Sequence, residues 1–415
     1  MTRRARILAQ GDEIVTGATL DTNSAWLAER LWMRGVRVLE ISAVPDDLEL
    51  LAQQVAEAGR DCELIVSGGG LGPTTDDCTA EAVAKALGVP LVESPEGLEQ
   101  IRARFQRIGR PMGPSNRKQA LLPEGSTLLE NPVGTAPGFA VPIGQARAFF
   151  FPGVPRELKA MAEQHLLGWL DRTGAVPMLR RRFHVSGVGE SALQDRLQSL
   201  VLPEGVRIGY KTWLPYNSIL LYGDRSVANA EQHFERASAE VRVRLGEDVF
   251  GEDDTTLPKA LGAALRERGL TLALAESCTA GGACALVTEI AGSSAWFRGG
   301  VVSYANAIKT EVLGVPEQVL AEHGAVSEPC ARAMAEGVRR ITQADIGVSI
   351  TGIAGPDGGS AEKPVGTVCF GMALPTQTLS RTTLFGLPGR DRVRALAAAA
   401  ALEWTRRRLL HLGEP

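Results

Sequence analysis

The first ninety residues alternate between two kinds of pattern, and this limits the folds open to the chain more than any other feature. Short apolar runs at 6–9, 36–41 and 63–67 read as strands. Between and after them, 21–32, 48–58 and 79–87 carry helical spacing, with Trp26, Leu27, Leu31 and Trp32 near one face. Segment 11–17 and the glycine run after Ser67 read as loops. Alternating strands and helices predict a parallel sheet covered on both faces. In such sheets ligands sit beyond the carboxyl ends of the strands.

At 415 residues the chain exceeds one ordinary domain, and roughly two to four are expected. Glycine and proline crowd 109–146, which predicts long surface loops, followed by a strand at 146–151 and a helix at 157–170. Segment 180–250 reads as a small α+β unit, with strands at 182–186, 206–210 and 218–222 and helices at 191–200 and 228–245. A polar hinge at 251–256 opens a second α/β unit. Its helices are expected at 257–268, 279–290 and 390–410, and its strands at 270–275, 301–304, 346–351, 365–372 and 378–385. The expected fold is therefore α/β: two α/β domains with mostly parallel sheets, 1–172 and 253–415, flanking a small α+β domain, 173–252.

A net charge of −4 gives no overall electrostatic footprint for nucleic acid. No window of 18 apolar residues exists to cross a membrane. The six cysteines form no C-x-x-C pair and only five histidines accompany them, so neither a zinc knuckle nor a disulfide framework is expected. Free thiols in a reducing cytoplasm are the simplest reading. Of the 44 lysines and arginines only seven are lysine, which makes the place of each lysine informative.

The segment from Ser67 to Asp77, with glycines at 68, 69, 70 and 72, leaves a strand and enters a helix. Glycines there let backbone N–H groups approach an anion, and the helix N-terminus favours it. The adjacent acids Asp76 and Asp77 suit a divalent cation that bridges carboxylate and phosphate oxygens. Asp77 can equally cap the helix, with Glu81 in its first turns. Asp12 follows another strand and could reach the same edge, where Asn23 and Ser24 open a helix. Lys118 reads as a point charge for a phosphate or as a solvated surface lysine.

Segment Ala275-Glu276-Ser277-Cys278-Thr279-Ala280-Gly281-Gly282 repeats the strand, turn, helix design. Ser277 would sit near helix N–H groups able to hold an oxyanion. The alternative is that Ser277 or Thr279 only caps the helix. Cys278 is a rival nucleophile, although no histidine stands ready as its base. Tyr304, Asn306 and Lys309 follow a strand end. A desolvated lysine has a lowered pKa and can activate a serine, which would make Ser277 and Lys309 a dyad. A surface lysine is the competing reading. Glycines 352 and 355 suggest a loop that wraps a ligand, or a plain loop. Arg390 and Arg394 share one helix face and could hold a phosphate or merely coat the surface.

Gly11-Asp12-Glu13-Ile14, Asp21-Thr22-Asn23 and the segment Gly69 to Asp77 resemble the molybdopterin-binding-like domain of the CinA family. Arg117 to Ala120, Asn131 to Gly138 and Pro152 to Pro155 extend the likeness. The resemblance implies a pyrophosphatase that cleaves ADP-ribose to AMP and ribose 5-phosphate, dependent on a divalent metal such as magnesium, manganese or cobalt. It places Asp12, Asp76 and Asp77 around the metal and diphosphate. Gly70, Gly72, Thr74, Asn23 and Lys118 would be substrate contacts. Gly68 stands where that family usually has threonine.

The stretches 275–279, 291–297, 300–309, 323–329 and 352–367 resemble the nicotinamide-nucleotide amidase domain of the same family. That likeness implies hydrolysis of nicotinamide mononucleotide to nicotinic acid mononucleotide and ammonia, with no cofactor. Ser277 would attack, Lys309 would take its proton, Tyr304 would assist and N–H groups around Thr279 would hold the oxyanion. Glu276, Cys278, Gly281, Asn306, Gly352, Gly355, Arg390 and Arg394 would contact substrate. Ala280 replaces the glycine that usually follows the threonine. The middle unit resembles the family's KH-type insert but has no basic GXXG loop, so a spacer or dimerisation module of a homodimer is expected. The expected partners are small nucleotides. The competing readings are a pterin- or nucleotide-binding accessory protein, or an interaction protein of DNA uptake or repair, with one active site or none.

Overall fold

The computed structural model describes residues 3–174, 176–386 and 389–411. Contacts divide the chain into two compact units, Met1–Leu179 with Asp224–Ala228, and Arg180–Gly223 with Asn229–Pro415.

Among the described residues, the first unit is built on a six-stranded sheet in the order Arg37–Val44, Arg4–Gln10, Leu64–Gly68, Ala146–Phe151, Gly138–Ile143, Thr127–Leu129. The first four strands are parallel and the last two antiparallel. Leu64, Ile65 and Val66 are fully buried, as a central strand covered on both faces requires. Helix Leu48–Asp61 shows how the flanking layer is specified. Asp47 caps its first turn by accepting from Leu50 N–H, and Leu51, Ala52, Val55 and Ala58 form its buried stripe. The expected loop at 11–17 contains a short helix, Asp12–Val15. The expected surface loops at 109–146 instead hold a 3₁₀ helix, Pro114–Ala120, and strands Leu121–Pro123, Thr127–Leu129 and Gly138–Ile143. Glycine and proline there punctuate short strands; they do not abolish them.

In the second unit the α+β part has a four-stranded sheet in the order Val206–Trp213, Tyr216–Gly223, Leu179–Val185, Val249–Glu252. Gly251 and Glu252, read from sequence as part of a hinge, pair with His184 and Phe183 in that sheet. The other sheet runs Phe297–Val302, Leu272–Glu276, Ile346–Gly352, Thr367–Ala373, Thr378–Leu384. Its first three strands are parallel and the last two antiparallel. Every residue of Leu272–Glu276 is buried. The helix expected at 279–290 is shorter, Gly282–Thr288, because its first residues form a turn. Helices Asn306–Glu311, Glu317–His323 and Glu328–Thr342 are additions to the expected set.

The terminal helix Arg390–Leu410 packs on this sheet through Val393, Ala397, Ala401 and Leu402. Near its far end Glu403 and Arg406 form a buried ion pair at 2.8 Å. Arg406 also donates to the Glu247 carbonyl at 2.6 Å, and Arg407 pairs with Asp248 at 2.8 Å. That end is thereby tied to the loop that precedes strand Val249–Glu252.

Candidate active sites

The Ser277 turn of the second unit is organised by a buried carboxylate. Glu276 ends a central strand and is fully buried. Its carboxylate accepts from the N–H groups of Gly281 at 3.0 Å, Ala283 at 3.1 Å and Cys284 at 2.7 Å. These are orphan donors at the start of helix Gly282–Thr288, so Glu276 supplies the cap that no side chain at the N-cap provides. With its oxygens committed to three N–H groups, Glu276 shapes the turn and does not serve as the expected substrate contact. Neither Ser277 nor Thr279 caps the helix.

Ser277 is 8% exposed and is held by its own N–H, which donates to the Ile350 carbonyl at 2.8 Å. Lys309 is 1% exposed, so the surface-lysine reading fails. Its Nζ lies 3.2 Å from Ser277 Oγ, 2.8 Å from the Ser303 carbonyl and 3.2 Å from the Tyr304 carbonyl. Burial pushes the Lys309 pKa below the ordinary lysine value, and the Cys330 and Cys278 thiols oppose this more weakly. Among the described residues the lysine thus faces two carbonyls and the serine hydroxyl with no carboxylate to fix its charge, an environment suited to a base. Burial pushes the neighbouring Cys278 up to about 11, so its thiol stays protonated at neutral pH and the rival nucleophile is disfavoured. Thr279 is 1% exposed and its hydroxyl lacks a hydrogen-bond partner.

Ala280 occupies a left-handed conformation with φ near 50° and is exposed. The turn therefore keeps the shape that glycine would adopt freely, with the methyl group placed on a strained backbone. Gly352 and Gly355 have packing reasons. A Cβ at 352 would lie 2.8 Å from the Thr367 carbonyl of the paired strand, and one at 355 would lie 2.6 Å from Val365. Arg390 donates to the Gly355 carbonyl at 2.8 Å and to the Tyr304 hydroxyl at 3.2 Å. Arg394 donates to the Thr279 carbonyl at 3.1 Å. Both arginines therefore join the rim of the serine site. Asn306 is exposed at the start of the short helix that carries Lys309. Ser303, fully buried, is a participant that the sequence did not single out. Its role lies in its carbonyl, which leaves no side-chain signature.

The first unit's turn is arranged differently. Gly70 has φ near 63°, and a Cβ there would fall 2.3 Å from Thr79 Oγ1 and 2.4 Å from the Gln10 amide. Gln10 and Thr79 are buried and hydrogen-bonded to each other, and Thr79 also donates to the Gly69 carbonyl at 2.9 Å. Asp77 does not cap the helix. One of its oxygens accepts from Thr74 N–H at 2.8 Å and Thr74 Oγ1 at 2.5 Å, closing the loop on itself. Lys118 donates to the Thr74 carbonyl at 3.0 Å and borders a small cleft with Gly70, Gly72, Asp77 and Glu81. Asn23 donates to the Gly153 carbonyl at 2.8 Å beside a second small cleft lined by Glu13, Asp21 and Gly68. A Cβ at Gly68 would meet Leu158 at 2.6 Å, so the threonine expected by resemblance has no room without repacking.

The three aspartates expected around a metal do not converge. Asp12 and Asp46 exchange hydrogen bonds, each carboxylate accepting from the other's backbone N–H at 3.1 Å. Asp76 is exposed beside Thr75, and Asp77 is turned to Thr74. Among the described residues no group of three or more His, Cys, Asp or Glu is placed to hold a metal ion. Asp46 is the partner that sequence reasoning missed. The signal was available, since Asp46 and Asp47 follow a strand as Asp76 and Asp77 do.

The two units thus define a class: a two-part α/β protein with a glycine-loop unit and a second unit bearing a buried serine–lysine pair. Residues 6–172 match the family described as Probable molybdopterin binding domain, and residues 254–409 match the CinA C-terminal domain. A CinA-like protein of Citrifermentans bemidjiense is 45% identical over 410 residues, covering 98% of this chain and 98% of that one. One from Shewanella woodyi is 41% identical over 98% of this chain and 96% of that one. A solved structure titled as the protein CinA with unknown function, from Thermoplasma acidophilum, is 35% identical over 39% of this chain and 95% of that chain, with a TM-score of 0.37. The chain belongs to the CinA-like protein family. Among the described residues, no helix is long and apolar enough to cross a membrane.

Proposed function

We propose that the second unit is a serine amidase that hydrolyses nicotinamide mononucleotide to nicotinic acid mononucleotide and ammonia. The observation that carries this reading is the buried Lys309 ammonium position 3.2 Å from Ser277 Oγ, with its pKa lowered by desolvation. Neutral Lys309 takes the Ser277 proton as Oγ attacks the carboxamide carbon. Backbone N–H groups at Cys278 and Thr279 receive the developing oxyanion. Protonated Lys309 then returns its proton to the leaving nitrogen, which departs as ammonia. Water, deprotonated by the same lysine, releases the carboxylate and restores the serine. Ser277→Ala should abolish ammonia release, measured by a coupled ammonia assay, while the chain's other activity persists. Retained ammonia release would sink the assignment.

For the first unit we propose cleavage of ADP-ribose to AMP and ribose 5-phosphate, supported by the left-handed glycine turn and by Lys118 beside it. The carboxylates offer no cage for a resident metal, so no step is routed through one. Magnesium-type ions commonly bind through one carboxylate and substrate phosphates, and Asp12 or Asp76 could meet a cation carried in on a diphosphate, offsetting its charge. Asp77→Ala should lower ADP-ribose cleavage, read by chromatography of AMP, and spare the amidase. A homodimer is proposed with it, to be checked by sedimentation.

A further inference from the structure

Tyr304 is held at two points. Its carbonyl accepts from Lys309 Nζ at 3.2 Å, and its hydroxyl accepts from Arg390 Nη2 at 3.2 Å. Tyr304 is 60% exposed, unusual for an aromatic residue one contact away from a buried lysine. Arg390 spends its other terminal nitrogen on the Gly355 carbonyl at 2.8 Å. A continuous chain of polar contacts therefore runs from Ser277 through Lys309, Tyr304 and Arg390 to the loop after strand Ile346–Gly352. Among the described residues most of Tyr304 is left uncovered, yet its backbone carbonyl and its hydroxyl are both held. A fixed, exposed aromatic surface beside a nucleophile suits a flat ring, and a cationic ring gains further from the electron-rich face.

We propose that Arg390 and Tyr304 work as one unit, in which Arg390 positions the phenol and its exposed face receives a flat, carboxamide-bearing pyridinium ring. Arg390 is thus a positioning residue that acts through Tyr304, and phosphate contact falls to other groups, Arg394 among them. The inference rests on the amidase reading and deepens it. It names the charge and planarity of the ring as what the site selects. The reduced, uncharged and puckered dihydropyridine form of the same nucleotide should be a poor substrate.

The test is a cycle of Arg390→Ala, Tyr304→Phe and the double variant, with kcat and KM measured for nicotinamide mononucleotide and for its phosphate-free nucleoside. Tyr304→Phe keeps the ring and removes the hydroxyl that Arg390 grips. Each single change should lower kcat/KM about tenfold or more, and the double variant should fall little further, because both break one contact. Arg390→Lys should recover part of the loss. Arg390→Ala should harm both substrates alike. Multiplicative losses, or a KM rise confined to the phosphorylated substrate, would overturn the proposal in favour of a phosphate clamp. Hydrogen exchange of segment 353–366 gives a readout that needs no turnover. It should quicken several-fold in Arg390→Ala and stay unchanged in Arg394→Ala. If the wild-type protein released no ammonia, the amidase reading would fail on that result alone. Unchanged exchange in Arg390→Ala would overturn the anchoring role independently.

Discussion

The two units solve the same local problem, a strand that ends in a tight turn before a helix, in opposite ways. At the turn after Leu64–Gly68 the polar side chains are largely exposed and spend themselves on the loop: Asp77 holds Thr74, and Lys118 holds the Thr74 carbonyl. At the turn after Leu272–Glu276 the polar side chains are buried, and Glu276 takes three of the turn's backbone N–H groups. The difference decides what each turn can do. An exposed loop offers its backbone to an anion, while burial alters the chemistry of the side chains themselves, as it does for Lys309.

The largest test of this contrast is Lys309→Met. Ammonia release should fall by about 10²- to 10⁴-fold, whereas melting temperature should hold or rise, since a buried amine is replaced by an apolar chain of similar length. The pH dependence has a definite sign. The proposed base acts in its neutral form, so kcat/KM should climb with pH through the lowered Lys309 pKa and level off above it. The same shift weakens the fold most below the lowered value, and the penalty fades as pH rises to the ordinary lysine range. A flat pH–rate profile would remove Lys309 as the base.

Glu276→Ala comes next. It strands three N–H groups at a buried helix start, and should destabilise the second unit by about 2–4 kcal/mol in urea melts. A near-neutral result would mean that the turn is held by something else. Lys118→Ala should be milder because the side chain is partly exposed, raising the KM for ADP-ribose roughly three- to tenfold with little change in melting temperature. The smallest effect is expected from Ala280→Gly. Relieving a left-handed alanine should stabilise the second unit by about 0.5–1 kcal/mol and leave KM for the amide substrate within about twofold, because the methyl group is exposed. A large gain in activity would show instead that the methyl group obstructs the ligand.

Much of this architecture was legible because periodicity and burial agree. Leu272–Glu276 and Thr79–Leu87 stand out by apolar run and helical spacing, and the serine and tyrosine of the second site follow strand ends, with the lysine on the short helix after the second of them. What escaped the sequence has a common cause. Ser303 acts through its carbonyl, and Asp46, although its place after a strand was visible, pairs with Asp12 34 residues away, which spacing does not encode. Glu276 was visible as a residue but not in its role, since capping by a carboxylate from the preceding strand depends on the path of the turn. The short strands between 109 and 146 were hidden by the glycines and prolines that end them.

The terminal helix carries a consequence beyond its packing. Twenty-one residues span about 31 Å, with Arg390 and Arg394 at one end and the buried Glu403–Arg406 pair at the other. The helix is a beam clamped at both ends, to the mouth of the serine site and to the loop around Glu247 and Asp248. Loosening the distant clamp should weaken the footing of the near one. The small four-stranded sheet, whose strand Val249–Glu252 follows that loop, is in this sense part of the scaffolding of the Ser277 site.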